Sequence, residues 1–238
     1  MHTVALQSLG EFIGTFVLVL LGDGVCAGVT LNKSKAKDAG WIVVTAGWAC
    51  AVTMGIYASS FLGPAHLNPA VTLAFAAIGK VSWSVVAPFI AAQMAGAFLG
   101  AAFVWLHYYP HWQETKDQGA ILGTFATGPA IRKPFFNFLS EAIGTAMLIF
   151  ALLAFTKGDF TAGLNPIVVG LLVLVIGLSL GGPTGYAINP ARDLGPRLAH
   201  AFLPIANKGT SDFGYSWVPV LGPIVGGTIG ALLFNLLP

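Results

Sequence analysis

The chain has 238 residues, 56% of them hydrophobic and only 8% charged, with a net charge of +2. Soluble domains carry roughly 25% charged residues, so this chain cannot clothe a water-facing surface, and a mean hydropathy of +0.80 points to lipid as its outer solvent. The slight positive balance, with no basic run beyond Lys33, Lys35 and Lys37, excludes nucleic acid as a partner.

A membrane-crossing helix needs about 20 mostly apolar residues, and six stretches qualify in chain order. The first, near 4–29, holds two charges, Glu11 and Asp23. It is expected to span the membrane and not to be a signal peptide, because Met1-His2-Thr3 lacks a basic start and no small-residue cleavage site closes the run. The second, near 41–61, opens a segment free of Asp, Glu, Lys and Arg that runs from Trp41 to Gly79 and contains "GPAHLNPAVT". The third, near 83–107, lies in the charge-free segment Val81 to Gln113. The fourth, near 135–156, has one charge, Glu141. The fifth, near 164–181, sits in the charge-free segment Phe160 to Ala191 and leads into "GGPTGYAINPARD", where an arginine and an aspartate follow at once. The sixth lies near 216–236. Cys26 and Cys50 fall inside spans, have no metal-ligand spacing and read as packing residues. The glycine pairs Gly10/Gly14, Gly96/Gly100 and Gly226/Gly230 have the spacing that lets membrane helices approach closely.

The chain repeats itself. "SLGEFIGTFVLVLLG" from Ser8 matches "FLSEAIGTAMLIFAL" from Phe138, pairing Glu11 with Glu141, and Asn-Pro-Ala occurs at Asn68 and again at Asn189. The two offsets differ only by a loop's length. Three spans per half is an odd number, so the second copy enters the membrane from the opposite face, an inverted repeat with a shared path at the midplane. The expected organisation is a single transmembrane domain over 1–238, with halves of about 1–115 and 130–238. The segments after Asn68 and Asn189 reach only about Ile78 and Phe202, too short to cross, and are expected to be re-entrant half-helices buried in protein. The predicted fold is therefore an all-α membrane protein with six transmembrane helices and two half-helices.

Asparagine is a favoured helix N-cap, and proline is favoured at the next position, where its missing N–H costs nothing. With the side-chain oxygen of Asn68 or Asn189 occupied by capping, the amide NH2 is left to meet a solute. Two half-helices meeting N-terminus to N-terminus also place two partial positive charges at mid-membrane, which repel cations and leave room for neutral hydroxyls. Two copies of Asn-Pro-Ala at symmetric places point to a pore.

"GPAHLNPAVT" and "GYAINPARDLGP", both "E-x-I-G-T" first spans and the closing "VPVLGPIVGG" resemble the aquaporin (major intrinsic protein) family over essentially the whole chain. Asn-Pro-Ala-Arg-Asp at Asn189 to Asp193 is most similar to the glycerol facilitator branch, the aquaglyceroporins. The resemblance implies a passive channel for glycerol and other small neutral solutes with some water: dihydroxyacetone, urea, hydrogen peroxide and protonated short hydroxy acids. It implies the pore boxes Asn68-Pro69-Ala70 and Asn189-Pro190-Ala191 and a homotetramer in the cell membrane. It also implies a selectivity filter of Trp48, Gly177, Tyr186 and Arg192. Arg192 offers five donors to the hydroxyls of a polyol and repels cations, and a charge at membrane depth is a functional residue by default. Trp48 and Tyr186 are expected to form an apolar corner facing it. Tyr186 stands where this branch usually has phenylalanine, and Gly177 is expected to leave open the room that a histidine fills in water-selective members.

Backbone carbonyls of Pro64, Ala65, His66, Thr184 and Gly185 are expected to line the path as acceptors. Glu11 and Glu141 read as carboxylates that accept backbone N–H groups and brace the re-entrant loops, with His66 as a further strut. Asp193 reads equally as local charge balance and as a residue holding its loop in register. The resemblance puts both termini in the cytoplasm, although the loops then outside the cell carry nine of the eleven Lys and Arg, against the usual bias. No cofactor, metal or nucleotide motif is evident. The alternatives are a water-selective channel of the same fold and a proton-coupled transporter using Glu11 and Glu141. An intramembrane enzyme lacks its nucleophile–base pair, and the five histidines have no ligand-like spacing.

Overall fold

At lipid depth a backbone has to satisfy its own N–H and C=O groups, so each long apolar segment coils into a helix. The computed structural model describes residues 2–238 and has no strand among the described residues. Its helices are α1 (Val4–Thr30), α2 (Trp41–Ser59), α3 (Pro69–Ala77), α4 (Trp83–His107), α5 (Tyr109–Glu114), α6 (Gln118–Phe125), α7 (Pro134–Phe155), α8 (Asn165–Leu180), α9 (Pro190–Phe202) and α10 (Trp217–Asn235). Five of them, α1, α2, α4, α7 and α10, are long and apolar enough to cross a bilayer. The sixth predicted span, α8, is shorter at 16 residues, about 24 Å at the rise of an α-helix. The predicted spans agree with these helices to within about two residues, and the two half-helices are α3 and α9.

The helices form two like-built groups that exchange their half-helices. In the first, α1 packs on α2 and α4; in the second, α7 packs on α8 and α10. The groups meet at α2 and α8, while α3 leans on α10 and α9 on α4. Glycine sets the closest approaches. A Cβ on Gly96 or Gly100 would overlap the α1 backbone at Phe12 and Phe16, and a Cβ on Gly226 or Gly230 would overlap the α7 backbone at Ala142 and Ala146. Large apolar side chains such as Phe103, Ile143, Leu171 and Leu232 stay exposed on the outside of the helix bundle, as an apolar surrounding allows.

The stretch 108–133, between the third and fourth predicted spans, holds the two short helices α5 and α6. Neither is long enough to register as a hydropathy signal. Asp117 caps α6 by accepting the Ala120 N–H at 3.0 Å, and Trp112 of α5 is buried, its Nε1 donating to the Trp105 carbonyl at 2.8 Å.

Candidate functional site

Each half-helix begins at its asparagine. Asn68 has extended backbone (φ −157°, ψ 117°), and its Oδ1 accepts the Ala70 N–H at 2.9 Å. Asn189 (φ −156°, ψ 108°) accepts the Ala191 N–H at 3.0 Å and the Arg192 N–H at 3.2 Å. Pro69 and Pro190 follow, each without an N–H to satisfy. The amides are less free than expected. Asn68 Nδ2 donates to the Ile188 carbonyl and Asn189 Nδ2 to the Leu67 carbonyl, each at 2.8 Å. The two re-entrant loops are thus tied to each other, and one N–H of each two-donor amide is left over.

Two buried carboxylates shape the loops ahead of the asparagines. Glu11 of α1 accepts the His66 N–H at 2.8 Å, the Leu67 N–H at 2.7 Å and Gln93 Nε2 at 2.8 Å. Glu141 of α7 accepts the Ala187 N–H at 3.0 Å, the Ile188 N–H at 2.8 Å and the Thr184 hydroxyl at 2.6 Å. The backbone bends sharply to allow this. Ala65, Leu67, Tyr186 and Ile188 have φ of 52°, 54°, 39° and 41°, the left-handed region at matching places in both loops. Such residues cost of order 1–3 kcal/mol each and persist where the surroundings hold them.

In a trans peptide the C=O points opposite to the N–H of the same unit. Directing the N–H groups of residues 66 and 67 at Glu11 turns the Ala65 and His66 carbonyls the other way. Directing those of 187 and 188 at Glu141 does the same to the Tyr186 and Ala187 carbonyls. All four residues line a cavity of about 450 Å³ that also takes in Pro64, Asn68, Asn189 and Arg192. Pro64, Ala65 and His66 are among the residues lining this cavity, and Thr184 and Gly185 are not. The Thr184 side chain is turned to Glu141, and Gly185 lies in a shallow surface pocket with Trp41 and Gly181. In the second loop the lining runs from Tyr186 to Asn189. His66 also holds Thr72 Oγ1 at 3.1 Å through Nδ1 and meets Phe75 edge-on at 5.4 Å between ring centres.

Trp48, Tyr186 and Arg192 gather at one end of this cavity, and Phe155, Thr156 and Asn165 of the α7–α8 junction line the other. Their arrangement corrects one expectation, at Gly177. Arg192 meets Trp48 directly, its Cζ over the indole ring at 3.8 Å from the ring centre. Attraction of the cation to the ring face and to a carboxylate behind it, Asp23 Oδ1 at 3.8 Å from Arg192 NH1, explains the pose. Gly177 does not leave an open gap and is absent from the cavity wall. A Cβ there would sit 2.7 Å from Tyr186 Cζ and 2.9 Å from Thr45 Cγ2, so the phenol ring fills the room. Tyr186 also meets Trp41 edge-on at 5.7 Å, and Trp41 Nε1 donates to the Gly177 carbonyl at 3.1 Å.

The roles of Cys26 and Arg197 at the site were not anticipated. Cys26, read as packing, accepts the Trp48 Nε1–H on Sγ at 3.3 Å and so orients the indole. Asp193 accepts the Thr127 N–H at 2.8 Å, the Thr127 hydroxyl at 2.7 Å and Arg197 Nε at 2.8 Å, so it does tie a loop to α9. Arg197, fully buried, returns NH2 to the Thr127 carbonyl at 2.9 Å and NH1 to the Ser211 carbonyl at 2.9 Å. The signal that could have found Arg197 is its spacing of four from Asp193 on a half-helix. Among the described residues no group of His, Cys, Asp and Glu is placed to hold a metal ion.

The match to known proteins runs the length of the chain. The model of the major intrinsic protein family matches residues 2–234. The chain belongs to the major intrinsic protein family. It is 72% identical over 235 residues to glycerol uptake facilitator protein 3 of Lactiplantibacillus plantarum, covering 99% of this chain and 98% of that one. It is 56% identical over 226 residues to the glycerol uptake facilitator protein of Bacillus subtilis, covering 95% and 82%. The X-ray structure of the aquaglyceroporin from Plasmodium falciparum superposes with a TM-score of 0.87 at 33% identity, covering 99% of this chain and 97% of that one. Membership makes this chain an integral membrane channel with the aquaporin-like fold, not an enzyme.

Proposed function

We propose that the chain is a passive channel for glycerol and other small neutral solutes, among them dihydroxyacetone, urea, hydrogen peroxide and protonated short hydroxy acids, together with water. One observation carries the reading: a single cavity wall combines donors with acceptors. Arg192 and the spare amide hydrogens of Asn68 and Asn189 donate; the carbonyls of Ala65, His66, Tyr186 and Ala187 accept. Leu18, Val52, Val71, Leu148 and Val173 complete the cavity with apolar surface for a carbon chain. A polyol sliding past exchanges its water stepwise for these partners. The names of the relatives, glycerol uptake facilitators, support the solute.

In this reading Trp48, Tyr186 and Arg192 form the filter, with Gly177 as the seat of the Tyr186 ring. Glu11 and Glu141 are loop braces, with His66 as a strut. Their bonds to backbone N–H groups favour this over a proton relay. The halves at about 1–115 and 130–238 form an inverted repeat. We assign the channel to the cell membrane as a homotetramer with both termini cytoplasmic. A C-terminal reporter fusion that reads extracytoplasmic would overturn that orientation.

Stopped-flow light scattering on proteoliposomes, comparing water, glycerol, dihydroxyacetone and urea, tests the function. The expected result is glycerol flux well above that of empty vesicles. The Tyr186 ring over Gly177 favours one second reading, a water-selective pore; water flux without glycerol flux would establish it. Accumulation of solute driven by a proton gradient would replace both with a coupled transporter.

A further inference from the structure

Four carboxylates lie buried at membrane depth, and three are fully engaged. Glu11 and Glu141 hold the loops, and Asp193 is taken by Thr127 and Arg197. Asp23 is different. It is 0% exposed, and neither carboxylate oxygen has a hydrogen-bond partner among the described residues. The cation beside it is Arg192, whose NH1 is likewise buried without a hydrogen bond and lies 3.8 Å from Asp23 Oδ1. That is an ion-pair distance, longer than a hydrogen bond. Asp23 does not line the cavity, whereas Arg192 does. The carboxylate therefore stands behind the guanidinium as the solute meets it. The neighbouring positions on α1 belong to the same cluster: the Trp48 ring packs on Gly22, and Cys26 holds the indole N–H.

We propose that Asp23 is the charge partner of the filter arginine, a specificity-determining positioning residue that acts through Arg192. This rests on the reading of Arg192 as part of the constriction. A free guanidinium beside a solute path is a ready carboxylate clamp, because its forked donors match the two oxygens of an acid anion. With Asp23 behind it the pair is neutral overall. Arg192 still offers donors to hydroxyls but gives a small carboxylate anion little net attraction. The pair also draws the guanidinium onto Trp48, away from the path. Without Asp23, the same arginine would bind formate or acetate and the anion would compete with glycerol.

The test is glycerol flux in proteoliposomes with formate added, for wild type and Asp23→Asn. The expected result is that formate inhibits Asp23→Asn at concentrations about tenfold or more below those needed for wild type, the scale of coupling between close charges. Equal formate sensitivity in the two proteins overturns the proposal. Glycerol flux absent from wild type overturns instead the reading of the channel on which it rests. Where Asp23→Asn inserts poorly, a stability cycle decides. Arg192→Val leaves an unpaired buried carboxylate, so Asp23→Asn/Arg192→Val is expected to unfold at a higher temperature than Arg192→Val alone. A double variant no more stable than Arg192→Val overturns the pairing.

Discussion

The half-helices α3 and α9 start alike and diverge after three residues. Both open with Asn-Pro-Ala, and both asparagines cap their own helix and donate to the opposite loop. Then α3 continues with Val71 and carries no charge in its nine residues, while α9 continues with Arg192, Asp193 and Arg197 in thirteen. The polar ties of α3 are few: Thr72 accepts from Gln93 Nε2 at 3.0 Å and meets His66. In contrast α9 is fastened through Asp193 and Arg197 to residues 127, 211 and 212, and Lys208 covers its last carbonyls, donating to His200 and Ala201 at 2.8 Å each. A cap of two residues is enough to place a half-helix, and the charges that follow decide how firmly the neighbouring loops are held.

The largest expected effect breaks this asymmetry. Arg197→Leu leaves Asp193 buried without its cation, and removing one partner of a buried pair costs about 3–5 kcal/mol. Thermal unfolding in detergent should show Arg197→Leu far less stable than Thr72→Val, which loses one ordinary hydrogen bond of α3. Similar melting temperatures for the two would mean that the α9 network does not hold the fold.

The next prediction concerns what the halves share. Glu11→Gln and Glu141→Gln each replace a carboxylate oxygen facing backbone N–H groups with a donor. Hydrogen bonds to charged groups contribute about 1.5–3 kcal/mol, so both variants should lose folded yield by comparable amounts while the surviving protein keeps its order of solute preference. A folded variant with a changed solute ranking would show that the carboxylates act on the path and not only on the loops.

Gly177 of the second half seats the Tyr186 ring. Adding atoms to a packed site costs about 1–3 kcal/mol, and each 1.36 kcal/mol on a barrier is about tenfold in rate. Gly177→His should push the Tyr186 ring toward the cavity and lower glycerol flux by roughly one to two orders of magnitude, with water flux falling far less. Combining it with Tyr186→Val should restore part of the glycerol flux, since the displaced ring is then gone. No restoration in a well-folded double variant would mean that the imidazole itself, and not the ring, narrows the path.

The smallest expected effect separates the caps. Losing an Asn cap to alanine costs about 1 kcal/mol. Asn189→Ala should cost more than Asn68→Ala, because Asn189 accepts two N–H groups and Asn68 one. Paired unfolding curves check the order.

The sequence by itself determined the spans, the two half-helices and several of the cavity residues, among them Asn68, Asn189 and Arg192. Lipid leaves a backbone no choice but helix, and Asn-Pro-Ala is a local cap signal, so both follow from composition and short spacing. It also paired Glu11 with Glu141, since a lone acid in an apolar run stands out. Tertiary structure decided what depends on direction. Asp23 was visible as a charge, but only packing put it behind Arg192. Gly177 was visible as a missing side chain, but only the left-handed turn at Tyr186 sent the ring into the space. Thr184 and Gly185 were close in sequence to the lining residues, yet the cavity wall of the second loop begins at Tyr186, where the backbone turns left-handed. A residue's type is local information; where its atoms point is set by the carboxylate, ring or loop that arrives from a distant part of the chain.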